Sequence, residues 1–373
     1  MSARRRLLVV NFRDPAHPEA GGAELHLEWI LREAVSRGFE VTWLASGFEG
    51  GAPEAELEGM RIARRGNWWN FNLVLPRVLR REFSSPAPDL VIEDINKVPC
   101  FTPRWTRSPV AVIVPHLFGS VALQETGPLI GAYVVALESL IPWIYRRCRF
   151  VVISESTRDD LVRRGIDCAR ITVVHCGLDH ETYRVDPTAG KTEHPTIAFV
   201  GRLRRYKGLD WVMRTLPDVL ARLPETKLVV LGDGPFAAEL QRMASRLGVE
   251  GAVEFHGFVS EAEKVRWMRR SWVLVQPSPK EGWGLTVVEA GACGTAVVAT
   301  DAPGLRDSVS DGETGLRVRY GDRRRMADAL LSVLTDAALR ERLGRGGVEW
   351  SRRFQWPDCA ARSLDALLGE GAR

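Results

Sequence analysis

Two glutamates eight residues apart, Glu281 and Glu289, bracket a glycine turn, Gly282-Trp283-Gly284, and the opening of an apolar segment, Leu285-Thr286-Val287-Val288. The run Val273-Leu274-Val275 precedes them, so the spacing predicts a strand, a turn and a helix N-terminus. Gly282 and Gly284 let the backbone come close to a ligand, and the first amides of a helix favour an anion there. Two carboxylates facing a phosphate would repel it. They suit neutral hydroxyls on either side, from which they accept hydrogen bonds. Sugar hydroxyls, a diphosphate and ribose hydroxyls in a row satisfy all three demands. The simpler alternative is an ordinary turn with two solvated glutamates.

A second turn carries the cations. The strand Thr196–Val200 runs into Gly201-Arg202-Leu203-Arg204-Arg205-Tyr206-Lys207-Gly208, and Arg202 and Lys207 there could neutralise a diphosphate leaving group. In isolation the same residues would read as a solvated basic loop. Further candidates stand at predicted strand ends, where an α/β sheet takes its ligands. Glu93 to Lys97 follow the strand Asp89–Ile92, and His116 follows Val110–Val114. Val259 and Glu261 follow Val253–Gly257, and a carboxylate at 261 could accept from the N1 and N2 donors of guanine. Gly21 and Gly22 open a helix after the strand Leu7–Val10; G-x-G-x-x-G is absent, and a plain helix cap is the alternative there.

The elements that must hold these residues alternate strand and helix, which predicts α/β architecture with parallel sheets. At 373 residues, 45% apolar and 26% charged, the chain is expected to form two globular domains. The polar, Pro- and Gly-containing stretch 183–195 suits a linker, giving an N-terminal domain over 1–187 and a second over 188–356.

The spacing Glu281 to Glu289 resembles the E-x7-E motif of the retaining GT-B glycosyltransferases of family 4 (glycosyl transferases group 1), and G-R-x4-K-G at 201–208 resembles that family's phosphate-binding pair. His175-Cys176-Gly177-Leu178-Asp179 resembles its P-N-G-V-D turn, with His-Cys standing for Pro-Asn. The resemblance implies two Rossmann-like domains whose parallel sheets face a central cleft, with helix 357–373 crossing back onto the first. It implies a nucleotide-diphosphate sugar donor, UDP- or GDP-linked, and a hydroxyl acceptor: a glycan, a lipid-linked acceptor or a small molecule. Arg202, Lys207, Glu281 and His116 would be catalytic. Gly21, Gly22, Gly201, Val259, Glu261, Gly282, Trp283, Gly284, Leu285, Thr286 and Glu289 would bind the donor, with the base along the segment that ends at Val259. The D-x-D motif by which another glycosyltransferase fold holds a metal is absent, so no metal or other cofactor is expected. A nucleotide-sugar 2-epimerase on the same scaffold and a non-catalytic sugar-nucleotide sensor are the competing readings.

Charge narrows the partners. The net charge of +4 does not call for nucleic acid, although 45 of the 51 basic residues are arginine. Six scattered cysteines without C-x-x-C spacing suggest reduced thiols, and Leu7–Val10 is too short for a signal core, so a cytoplasmic protein is expected. Residues 61–83 mix arginines with Trp68, Trp69 and Phe71 and suggest peripheral contact with an anionic membrane, or a helix packed on its own sheet. The apolar run Leu129–Tyr145, interrupted by Glu138 and Pro142, predicts a buried helix.

Overall fold

Continuous apolar runs such as Leu7–Val10 and Val273–Val275 are buried along their whole length, as strands of a parallel sheet covered on both faces must be. The structure is a computed structural model that describes residues 5–369 apart from 97 and 120. Lys97 and residues 370–373, expected at a strand end and in the last helix, lie outside the described residues.

The first unit takes in Met1–Gly177 and Trp356–Arg373. Its elements are β1 (Arg6–Val10), α1 (Gly22–Ser36), β2 (Glu40–Gly47), β3 (Glu54–Leu57), β4 (Met60–Asn67), α2 (Phe71–Glu82), β5 (Leu90–Asp94), β6 (Val110–Val114), α3 (Val121–Ser139), α4 (Ile141–Ile144), β7 (Arg149–Val152), α5 (Glu155–Arg163) and β8 (Ile171–Val173). The sheet order is β3-β4-β2-β1-β5-β6-β7-β8, parallel except for the hairpin β3–β4. The second unit, Leu178–Gln355, comprises β9 (Thr196–Val200), α6 (Leu209–Leu220), β10 (Lys227–Leu231), α7 (Ala237–Leu247), β11 (Val253–Gly257), α8 (Glu261–Arg270), β12 (Val273–Gln276), α9 (Leu285–Ala292), β13 (Ala296–Thr300), α10 (Leu305–Ser308), β14 (Gly315–Val318), α11 (Arg323–Thr335) and α12 (Ala337–Ser351). Its six strands run β11-β10-β9-β12-β13-β14, every pair parallel. The last helix, α13 (Trp356–Leu368), belongs to the first unit, where Trp356 stacks on Trp29 of α1.

In each sheet the strand order reverses beside the first strand, between β1 and β5 and between β9 and β12. Crevices for ligands open at the carboxyl ends of such a pair. The second sheet's core gathers Phe199, Val212, Leu240, Val275 and Met326 into one cluster, leaving the turns beyond the strand ends free to be polar.

Two expectations need correction. The division falls at Gly177/Leu178, not at 187/188, because the stretch read as a linker is fastened to the second unit. Lys191 donates to the carbonyls of Arg269 and Ser271, and the Leu178 amide to that of Phe354. The run Leu129–Tyr145 is not a buried helix. Of the window Gly127–Ile144 only 22% is buried, the inner stripe being Gly131, Val134, Glu138 and Ile141. In 61–83 the three arginines of β4 face carboxylates: Arg61 pairs with Glu54, Arg65 with Glu54 and Glu82, and Arg64 with Asp14. That stretch therefore offers no unneutralised basic face from those three residues. Residues 323–351 form two helices, α11 and α12. Asp336 accepts from the Leu339 amide and caps α12, whose Gly347 lies against Gly291 of α9, a closeness that explains a helix running on through glycines.

Candidate active site

The site is clearest at the carboxyl edge of the second sheet, where the turns after β9, β12 and β13 meet. Gly208, at φ +71°, ends the turn after β9, and a Cβ there would lie 2.5 Å from the Pro277 carbonyl oxygen beyond β12. A Cβ on Gly304, at φ +80° beyond β13, would lie 2.3 Å from the carbonyl oxygen of Glu281. Only glycine allows these backbones to touch. Lys207 and Glu281 are brought together as a result, with Lys207 Nζ donating to Glu281 Oε1 at 2.6 Å. Gln276, the last residue of β12, donates Nε2 to the same oxygen at 2.8 Å.

Burial disfavours both charges of this pair, and each partner outweighs it for the other. The Lys207 ammonium is held above its ordinary range, against burial, by Glu281. The Glu281 carboxyl is held below its own, again against burial, by Lys207 and hydrogen bonds from Ser278 and Gln276. Arg202 lies close enough to act electrostatically on Lys207, yet it is exposed, and among the described residues no carboxylate pairs with it. Gly201 precedes it at the end of β9.

Gly282, Trp283 and Gly284 lead into α9, which Gly284 caps in the left-handed region at φ +89°. The amides of Leu285 and Thr286, in the first turn of α9, have no acceptor within the helix. Trp283 is buried, edge-on to Phe354 at 5.2 Å between centroids, so its side chain belongs to the packing while its backbone stays in the turn. Glu289 is buried one turn into α9 with Lys264 of α8 at 3.4 Å, and burial pushes its carboxyl up despite that lysine. Lys264 also stands 3.0 Å from Glu261, the first residue of α8, which accepts from the Tyr183 hydroxyl. Glu261 and Glu289 thus share one ammonium, and the carboxylate expected to read a base already has two partners. Val259 is half-buried just before α8, next to Phe258, which is 91% exposed.

Sequence reasoning gave no role to Gln276, Lys264 or Tyr183. Lys264 had a signal, since residues three apart on a helix are neighbours, and Gln276 is a polar residue closing an apolar strand. Tyr183 had none, because it lies in the stretch read as a linker.

The remaining candidates stand on the first unit. His116, just past β6, is half-buried and edge-on to Phe118 at 4.8 Å. Its loop is braced by the buried Glu138, which accepts from the amides of Phe118 and Gly119 at 2.7 and 3.0 Å. Gly21 and Gly22 begin α1, but the Gly21 amide already donates to Glu24 Oε2 at 2.8 Å. Glu24 Oε1 accepts from Asn96 in turn, so the amide expected to meet a donor from this side is taken. Gly21, Gly22 and His116 form one group and the other twelve candidates a second, one on each unit.

The profile of the "Glycosyl transferases group 1" family matches residues 184–350, and that of "Glycosyltransferase Family 4" matches 20–182. The chain belongs to glycosyltransferase family 4. A D-inositol 3-phosphate glycosyltransferase of Nocardioides sp. is 36% identical over 221 residues, 53% of this chain and 48% of that protein. The chain spans about half the length of the curated relatives it matches. Among solved structures, the sucrose-phosphate synthase of Thermosynechococcus elongatus superposes with a TM-score of 0.82 at 20% identity, covering 96% of this chain and 97% of that one. HepE of Anabaena, solved with UDP-glucose, gives 0.75 at 18% identity over 98% and 99%. The fold of this family 4 chain is therefore GT-B.

Proposed function

We propose that the chain transfers a hexosyl unit from a nucleotide-diphosphate sugar, UDP- or GDP-linked, to a hydroxyl acceptor in glycoconjugate synthesis. Anomeric configuration is retained, and no metal or other cofactor takes part. The observation that carries this reading is the half-buried Lys207–Glu281 pair at the strand-order reversal of the second sheet, beside Arg202, with which no carboxylate pairs among the described residues. Such a constellation suits a substrate that is anionic at one end and hydroxylated at the other.

In this reading Arg202, Lys207 and the amides of Leu285 and Thr286 stabilise the negative charge that grows on the diphosphate as the sugar departs. Glu281 accepts from the sugar's hydroxyls and Glu289 from those of the ribose, while Val259 and Glu261 flank the base. The sugar–phosphate bond breaks and the bond to the acceptor oxygen forms on the same face. The leaving phosphate takes the acceptor's proton, so the products are a glycoside and a nucleoside diphosphate. The relative named above has D-inositol 3-phosphate in its name, and an acceptor of that hydroxyl-bearing kind fits. All six cysteines are free thiols, in keeping with a cytoplasmic location.

The test is a screen of UDP-, GDP-, ADP- and dTDP-sugars for thermal stabilisation and slow donor hydrolysis, with a chelator present throughout. At least one is expected to raise Tm and to be hydrolysed. Lys207→Ala and Glu281→Gln should each lower transfer by about 10²–10³ in folded protein, and undiminished activity in both would refute the site. NMR of the product gives its anomer; inversion removes the same-face mechanism, and epimerised donor would favour the epimerase reading.

A further inference from the structure

A run of exposed apolar side chains lies along α3 and α4 of the first unit. Leu129 is 87% exposed and Trp143 75%, with Ile130, Tyr133 and Leu140 also exposed between them. The opposite side of the same helices is anchored: Ile141 is fully buried in a cluster with Tyr145, Phe150 and Leu161. Gly127–Ile144 is long and apolar enough to cross a membrane by length and composition. It is nonetheless kinked at Gly127 and broken between α3 and α4, and its inner stripe is packed on its own domain. It can lie on an apolar surface and cannot enter one whole.

Where this face ends, a cavity of about 590 Å³ opens at the amino ends of β6 and β7, lined by Trp143, Arg104, Arg107, Arg146, Arg147 and Arg149. No Asp or Glu lines it. Arg149 donates to the Leu367 carbonyl, whereas among the described residues no carboxylate pairs with the other four arginines, all exposed. Trp143 thus belongs both to the apolar face and to the cationic groove.

We propose that α3, α4 and this groove form a docking face for an anionic phospholipid bilayer, with Leu129, Ile130, Tyr133, Leu140 and Trp143 at the acyl boundary and the arginines among headgroup phosphates. Charge complementarity selects the bilayer: guanidinium groups bind phosphate, and a tryptophan between them and an apolar face has the amphipathic form suited to a membrane interface. The face is separate from residues 61–83, where Arg61, Arg64 and Arg65 pair with carboxylates. It goes beyond the proposed reaction and stands without it. The groove lies at the amino ends of the strands, away from His116 at their carboxyl end, so a docked enzyme keeps that edge open.

The test is co-sedimentation of the full chain, without sugar nucleotide, with vesicles of phosphatidylcholine alone or mixed equally with phosphatidylglycerol. Binding to the mixed vesicles only, weakening with salt, is expected. Arg146→Ala with Arg147→Ala should weaken it by about 30-fold, and Trp143→Glu by roughly tenfold or more. Circular dichroism checks that both variants fold, and each alters exposed side chains only. Equal or no binding of the wild type to the two vesicle types overturns the proposal. So does wild-type binding by Trp143→Glu, or loss of binding in Trp69→Glu with Leu73→Glu instead. A wild-type dimer in light scattering that Trp143→Glu dissociates overturns it too, making the face an interface between copies. Loss of transfer with docking intact would count against the reaction alone.

Discussion

The two sheets place carboxylates at their carboxyl edges for opposite purposes. In the first unit they hold backbone. Glu93 accepts from the Cys100 and Thr102 amides at 2.6 and 3.0 Å and from the Thr102 and Tyr145 hydroxyls at 2.5 and 2.6 Å. Glu24 and Glu138 likewise take amides. In the second unit Glu281 and Glu289 face ammonium groups instead, and an arginine nearby has no carboxylate. The first edge is a set of braced loops whose carboxylates Glu24, Glu93 and Glu138 are used internally. The second keeps its charge mobile between partners, and an anionic ligand can redistribute it.

The contrast breaks most visibly at Lys207. Lys207→Ala leaves a buried carboxylate without its counter-ion, and a loss of about 3–5 kcal/mol in stability is expected, together with a fall of about 10²–10³ in turnover. Denaturant unfolding and initial rates on folded protein measure the two separately. The pH dependence has a definite sign. The lowered Glu281 pKa contributes stability above the ordinary carboxylate range that is lost as pH falls through the lowered value. The raised Lys207 pKa contributes stability below the ordinary lysine range that is lost as pH rises through the raised value. Between those limits the pair's contribution to wild-type stability should be flat, whereas in Lys207→Ala burial pushes the unpaired Glu281 carboxyl up, so the stability gap should narrow as pH falls through that raised value; a gap that stays constant at low pH would mean the pair is not ionised as described.

Glu93→Ala is the matching change on the other edge. It removes four hydrogen bonds and leaves buried donors unsatisfied, and about 3 kcal/mol is expected. Donor-induced thermal stabilisation should survive, since the brace belongs to the first unit. A lost donor response with unchanged stability would erase the distinction between the edges.

Much of this was legible in the chain. The strands announced themselves because a strand buried on both faces must be apolar throughout, as Leu7–Val10 and Val273–Val275 are. The glycine turns were legible because Gly208 and Gly284 occupy backbone positions that other residues resist. Pairing was not legible. Glu281 and Lys207 are 74 residues apart, and only the β9–β12 adjacency brings their turns together. Leu129–Tyr145 misled for a related reason: its apolar composition was plain, but only an inner stripe at alternating spacings of three and four is covered. The partners of Arg61, Arg64 and Arg65 were not legible either, because their carboxylates come from β3, from α2 and from the loop that holds Asp14.

Arg202→Ala sharpens the contrast by separating binding from stability. Arg202 is exposed and has no carboxylate partner, so unfolding should change by less than about 0.5 kcal/mol. Loss of one positioned cation should lower kcat/KM by roughly 10 to 100-fold. Lysine in its place should restore part of that loss, as a point charge without the guanidinium fork. A destabilised Arg202→Ala protein would mean that this arginine is structural after all, like those of β4.

The smallest effect is expected at Trp283, the one residue of the turn whose side chain points away from the ligand's side into the packing. Trp283→Phe keeps an aromatic edge against Phe354 and gives up part of the buried area, so a loss of about 1 kcal/mol is expected. Phe354 accepts from the Leu178 amide and from His180, so the indole helps to fix the point where the chain enters and leaves the second unit. Donor KM should stay within about twofold, because position 283 contributes only backbone to the turn and phenylalanine supplies the same backbone. A large rise in KM with stability unchanged would instead make the indole a ligand contact, and the division between packing and chemistry within this turn would have to be redrawn.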